Sequence, residues 1–234
     1  MKNFGWHMTI KHIKKRIYEI TFYYLKELRD RKYNKKQQNR LMNEDFSILS
    51  TNCMGGILYH RYNMKFLSPT INLWFEPKDF VPFCENIRAY LADGRLLFIQ
   101  SEKEYPVALL DCSGLPQVKI YFMHYLNEKE AAEKWNERSK RFNYDNYYII
   151  GSDVGLDKED IKRLAKIETN NTVIFTAGKW GHMPKCYTLE KYKGQNDVGK
   201  FINDIDEKTG VRYVESVFDF VSFFNTKQLL KIKE

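Results

Sequence analysis

Cys53 is the strongest nucleophile in a segment that is otherwise small and polar, Ser50-Thr-Asn-Cys-Met-Gly-Gly56. A thiolate at this place attacks an electrophilic carbon if a base, His124 or His182, takes its proton. A helix starting just after it lowers a thiol pKa and favours that chemistry. The alternative is a small apolar residue filling a crowded turn, which is what most free cysteines are. No protease or transferase cysteine signature surrounds it. Ser50 and Asn52 add polar contacts, and Gly55 and Gly56 let backbone N–H groups approach an anionic ligand at the helix start. The segment has neither the Gly-Lys-Ser/Thr ending of a phosphate loop nor the G-x-G-x-x-G spacing.

Two further loops have similar content, Gly151-Ser-Asp-Val-Gly155 and Thr176-Ala-Gly-Lys-Trp-Gly-His182. They bring Asp153 as a candidate catalytic carboxylate and Lys179 and His182 as candidate binding groups. His124 follows an apolar run ending at Phe122 and serves either as a general base or as a hydrogen-bonded boundary residue. Trp135, Arg138 and Arg141 recur at spacing three on one helix face. They read either as a face packed on a sheet or as a sugar clamp, with Trp stacking and Arg giving bidentate contacts. The five histidines form no H-x-x-x-H pair, and no carboxylate cluster has metal-ligand spacing, so no metal is expected. No motif names a cofactor.

Strand-to-helix transitions are what would bring these loops together. Apolar runs at 46–50, 96–100, 107–110, 118–122, 147–150, 172–176 and 186–189 read as strands. Helices are expected over 57–62, 77–91, 127–142 and 157–167, with Pro77 near one start, Gly94 beyond its end, and Asn127 and Glu130 placed for a capping box. Residues 217–224 read as a helix or a strand. This alternation predicts a three-layer α/β/α sandwich with a mostly parallel central sheet. Ligands in such sheets bind beyond the carboxyl ends of the strands, which is where all three loops fall. Ser50, Cys53 and His124 are expected to line one pocket there.

The 234 residues are 43% hydrophobic and 15% aromatic, values of a globular chain rather than a disordered one. No apolar run reaches the length of a membrane span, and the start lacks a signal core. Four separated cysteines without a C-x-x-C pair fit reduced thiols and a cytoplasmic location. Residues 1–42 hold twelve Lys/Arg against three Asp/Glu, a net of +9, so the rest of the chain carries −1. A nucleic-acid enzyme spreads positive charge over its working face, which argues against that role. Ile10, Ile13, Ile17, Ile20, Tyr24 and Leu28 make an amphipathic helix of residues 8–32, with 31–42 as its end and a linker. The division expected is therefore 1–43, a basic helix and linker, and 44–234, an α/β domain. The helix either packs on the domain or, through residues 8–36, lies on an anionic membrane surface.

Residues from about 44 to 150 resemble a bacterial family called domain of unknown function nineteen-nineteen. The resemblance rests on Phe46-Ser-Ile-Leu-Ser-Thr-Asn-Cys-Met-Gly-Gly56, Ser68-Pro-Thr-Ile-Asn-Leu-Trp-Phe75, Tyr105-Pro-Val107, Phe122-Met-His-Tyr125, Glu133-Lys-Trp-Asn-Glu-Arg138 and Arg141-Phe-Asn-Tyr-Asp-Asn146. Thr51 and Met54 stand where that family is expected to have Asn and Trp, and Tyr144 where it has Trp. The resemblance implies an α/β/α domain and an association with capsule or exopolysaccharide production, without an assigned reaction. Together with the loops it gives an expected function: a transferase acting on a sugar or lipid-linked glycan at the inner membrane face, with a nucleotide sugar or glycan as substrate. The alternative is a non-catalytic accessory protein that binds glycan or a partner through the same pocket.

Overall fold

The computed structural model describes residues 5–167 and 171–229, and in the first helix the side chains of Lys15, Arg16 and residues 21 onward. Three short apolar runs become parallel strands, β1 (Ser47–Ser50), β6 (Tyr147–Ser152) and β7 (Thr172–Thr176), joined at one edge by β8 (Cys186–Thr188). Their order is β1-β6-β7-β8. Every residue of β1 and β7 is buried, as expected of strands covered on both faces.

The other four strands form a second, antiparallel sheet in the order β2-β5-β4-β3, from β2 (Trp74–Phe75), β3 (Arg95–Ile99), β4 (Val107–Asp111) and β5 (Val118–Tyr121). The expected parallel sheet is present but holds half of the strands. The reason lies in the connections: the links from β3 to β4 and from β4 to β5 carry no helix and are too short for a parallel crossover.

The helices are α1 (Gly5–Arg40), α2 (Met54–Arg61), α3 (Pro77–Glu85), α4 (Ile87–Ala92), α5 (Glu128–Ser139), α6 (Lys158–Lys166), α7 (Tyr213–Val217) and α8 (Phe220–Thr226). The helix expected over 77–91 is two, because Asn86 leaves helical geometry and its amide donates to the Pro82 carbonyl. Asn127 caps α5 by accepting from Glu130 N, while Glu130 accepts from Leu126 N rather than from the cap itself. Asp157 and Asp160 cap α6 reciprocally.

One core packs on one face of the parallel sheet and joins its Leu49, Ile149 and Ile174 to Phe80 and Phe83 of α3, Trp135 of α5, and Leu110, Ile120 and Phe122. The other lies on the opposite face and uses Phe46, Ile48, Tyr148 and Phe175 with Met54, Leu58, Phe220 and Phe223. Alternate strand residues therefore feed alternate cores, as strand geometry dictates.

The first helix is longer than the sequence suggests and continues through residues 31–40 in place of a linker. These last turns are docked. Tyr33 Oη donates to the Glu215 carbonyl, Gln38 Nε2 to the Arg61 carbonyl, and Asn225 Nδ2 to the Arg40 carbonyl. Arg40 pairs with Asp219, and the buried Arg61 joins Asp30 at 2.9 Å, Asn34, and Glu215 at 3.0 Å. No helix of the described residues is long and apolar enough to cross a membrane.

Candidate functional site

The loop after β1 spends most of its polar groups on itself. Ser50 is fully buried; its Oγ accepts from Gly55 N at 3.0 Å and donates to the Asn52 carbonyl at 2.7 Å. Asn52 Oδ1 accepts from Met54 N at 3.0 Å. Two of the donors that a helix start leaves open are thus already used. Gly55 and Gly56 are there for close packing: a Cβ on Gly55 would lie 2.8 Å from Ser50 Oγ, and one on Gly56 would lie 3.3 Å from Asn72 Oδ1. The Ser50 hydroxyl, expected to contact a ligand, and the Gly55 amide, expected to meet its anionic part, are instead bonded to each other. They fix the turn that presents Thr51, Asn52 and Cys53.

Those three residues open on a cleft of about 500 Å3 at the carboxyl end of the parallel strands. Ser152 and Val154 reach it from the exit of β6, Trp74, Phe75 and Tyr105 from the antiparallel side, and Lys200 and Asn203 from a late loop. Phe75 N donates to the Thr51 carbonyl, which ties the two sheets together at the cleft floor. Trp74 is backed by Tyr121, with ring centroids 3.8 Å apart and planes 3° from parallel. Tyr121 Oη in turn donates to Glu76 Oε1 at 2.5 Å, and burial together with that carboxylate pushes the phenol up to about 12. Tyr121 is therefore a neutral, fixed support for the indole.

Cys53 lines the cleft, half-buried, at the cap of α2. Burial raises its thiol above the ordinary 9.0, and the Arg212 guanidinium offsets only part of this. The helix start does not win, because the nearest amides are bonded to Asn52 and Ser50. Iodoacetamide labelling of Cys53, read by peptide mass spectrometry, is expected to be slower at pH 8 than that of a free thiol and to keep rising above pH 9. A plateau below pH 8 would restore the nucleophile reading.

The remaining candidates do not converge on this cleft. His124 is exposed and is not among the lining residues, so the pocket expected for Ser50, Cys53 and His124 together retains only Cys53. His182 and Lys179 are exposed on the turn after β7, where Lys179 Nζ sits 4.6 Å from the Trp180 ring. Asp153 is 3% exposed; its two carboxylate oxygens accept from Ala177 N and Val198 N, each at 2.9 Å. It is a loop clamp and is not among the residues that line the cleft. Trp135 and Arg138 are buried: Trp135 packs against Phe83 and Phe122, and Arg138 Nη1 donates to Tyr125 Oη and to the Ile71 carbonyl. The packed reading of that helix face holds, and the sugar clamp does not.

Trp74, Tyr105, Met123, Lys200 and Asn203 are among the lining residues that sequence reasoning missed. Trp74 had a visible mark, an aromatic between the core residues Leu73 and Phe75, and so on the opposite side of an extended chain. Lys200 and Asn203 had none, because only the tertiary fold brings their loop to the strand ends. A larger groove, of about 1110 Å3, runs between α1 and residues 204–222. Two of its cations are matched within it, Arg40 with Asp219 and Lys191 with Asp204. Lys200, by contrast, has no ion pair among the described residues, and the strand-exit cleft is the better ligand site.

Comparison with known proteins agrees with this extent of structure. The family described as "Domain of unknown function (DUF1919)" matches residues 24–225, beyond both ends of the stretch that the motifs picked out. A relative from Haemophilus influenzae, itself described as an uncharacterized protein, is 35% identical over 193 residues, which cover 82% of this chain and 90% of that protein.

Proposed function

From the premise that the chain belongs to the DUF1919 family, we propose that its strand-exit cleft binds a saccharide, as a glycan or as the sugar part of an activated donor. The observation that carries this is the Trp74 indole, held flat by Tyr121 at the edge of a largely apolar cleft. The apolar face of a pyranose ring packs on such a surface, and a few polar groups then fix its orientation. Thr51, Asn52, Ser152 and Asn203 supply those groups, and Lys200 suits a phosphate on the donor. The wider setting proposed is surface-polysaccharide synthesis, as the resemblance implies, in a three-layer α/β/α domain.

Of the two roles, binding is favoured over transfer by a histidine base. Both candidate histidines are outside the cleft, and the Asp153 oxygens are occupied. Tryptophan emission titrated with nucleotide sugars and with oligosaccharide fragments tests the reading. Saturable binding is expected, with Cys53 protected from alkylation. Trp74→Ala is expected to weaken it about tenfold, the equivalent of about 1.4 kcal/mol. Binding accompanied by release of free nucleotide would instead support a transferase. Unchanged affinity in Trp74→Ala, or no saccharide bound at millimolar concentration, would reject the saccharide reading.

A further inference from the structure

The docked turns of α1 define which side of that helix faces the body. Asp30, Tyr33, Asn34 and Gln37 share this side; the first three bond to the body, and Gln37 is buried. At 3.6 residues per turn, the stripe of Ile10, Ile13, Ile17, Ile20, Tyr24 and Leu28 is confined to about 80° of the circumference, and its centre is roughly 130° away from that side. The side chains of Ile10, Ile13, Ile17 and Ile20 lie outside the described residues, so their place on the stripe comes from the sequence. The two described members agree with it: Tyr24 is 60% exposed and Leu28 42%. The body does not cover the described part of this apolar face.

We propose that the segment before Arg29 lies on an anionic lipid surface, with the stripe in the headgroup region, while the turns from Arg29 onward hold the body, Arg29 Nη1 donating to the Lys208 carbonyl at 3.2 Å. Residues 1–28 carry six Lys/Arg against two Glu. Exposed Lys15 and Arg16 belong to this set. A positively charged helix with apolar and aromatic residues on one side is the form that settles into an interface, and the positive charge draws it to anionic headgroups. A second copy is a poorer occupant of the stripe, because pairing two such segments brings like charges together. The proposed segment is shorter than the 8–36 expected from sequence, because Arg29, Asp30, Tyr33 and Asn34 are engaged with the body. The inference does not depend on the ligand of the cleft.

The test uses the full chain with vesicles of phosphatidylglycerol and phosphatidylcholine, and with phosphatidylcholine alone. Sedimentation with the anionic vesicles is expected, at least tenfold weaker with the neutral ones and in about 0.5 M salt, where screening is strong. Tyr24→Glu with Leu28→Glu is expected to lower vesicle affinity tenfold or more without moving the thermal midpoint, because both side chains are exposed. Lys15→Glu with Arg16→Glu, both at exposed positions, is expected to lower vesicle affinity tenfold or more as well. Indifference of the full chain to anionic vesicles would overturn the proposal. So would binding that neither double variant weakens. A lipid-free dimer that Leu28→Glu splits would assign the stripe to a second copy instead.

Discussion

Replacing Arg61 by methionine is expected to lower the stability of the folded chain by about 3–5 kcal/mol, the usual cost of breaking a buried ion pair from one side. Arg61 is 5% exposed and its partner Glu215 2%. Two further groups of the pinned helix, Asp30 and Asn34, also lean on the same guanidinium. Tyr33 lies against it as well, with 5.1 Å from the guanidinium carbon to the ring centroid. Methionine fills the volume but leaves the Glu215 carboxylate in a dry site with Arg212 as its remaining partner, through the backbone N at 3.2 Å and Nη1 at 3.6 Å. Urea unfolding measures the loss. Arg61→Met combined with Glu215→Leu is expected to recover much of it, because the stranded charge is then gone. A loss below about 1 kcal/mol in the single variant, the scale of an exposed pair, would mean that the network does not pin the helix.

Asp153→Ala is the second large effect, at about 3–5 kcal/mol, since two buried backbone amides lose a charged acceptor together. Those amides belong to the loops after β7 and before residue 201, so the fault falls on the wall of the cleft as well as on stability. Asp153→Asn keeps one acceptor oxygen and is expected to lose less. The pH dependence has a definite sign. Burial holds the Asp153 pKa above the ordinary 3.8, with the two amides offsetting part of the shift. A carboxyl whose folded pKa is raised favours the folded state below 3.8, and this contribution is lost as pH rises through the folded value. The stability gap between the wild type and Asp153→Asn is therefore expected to narrow from acid to neutral pH. An Asp153→Ala chain of unchanged stability with a ligand-turnover defect would return Asp153 to the list of reacting groups.

Much of this framework was legible in the sequence. The runs at 46–50, 147–150 and 172–176 are apolar on both faces, which only a parallel sheet covered on both sides requires, and they pair as read. The loops that follow them were marked by glycine and small polar residues, and the cleft does open at that end. The division into two sheets was also written in the chain but passed unread: strands 96–100, 107–110 and 118–122 follow one another without room for a crossover helix. The roles within the loops were not legible, because Ser50, Asn52 and Asp153 are residue types that serve a ligand or a backbone amide equally well. Only the tertiary positions of Gly55 N, Met54 N, Ala177 N and Val198 N decide which. The same holds for Arg138, whose guanidinium was free to reach a ligand until Tyr125 and the Ile71 carbonyl were brought beside it.

The two cores on either side of the parallel sheet both hold phenylalanine and tyrosine and differ in their indoles. Trp135 is in the first core, Trp180 packs against it and Trp74 faces the cleft, whereas the second core is built from phenylalanine and tyrosine around Phe46, Tyr148, Phe175, Phe218 and Phe223. Apart from Trp6, indole emission therefore follows the cleft and the first core. Near-ultraviolet dichroism of tyrosine and phenylalanine follows both cores, the first through Phe80, Phe83 and Tyr90, and the second, against which α7 and α8 pack, through Phe46, Tyr148 and Phe223. A loosening that begins at those last helices would leave the indole signal steady while part of the dichroism fades, and coincidence of the two curves on heating would show that the parallel sheet couples its faces into one cooperative unit.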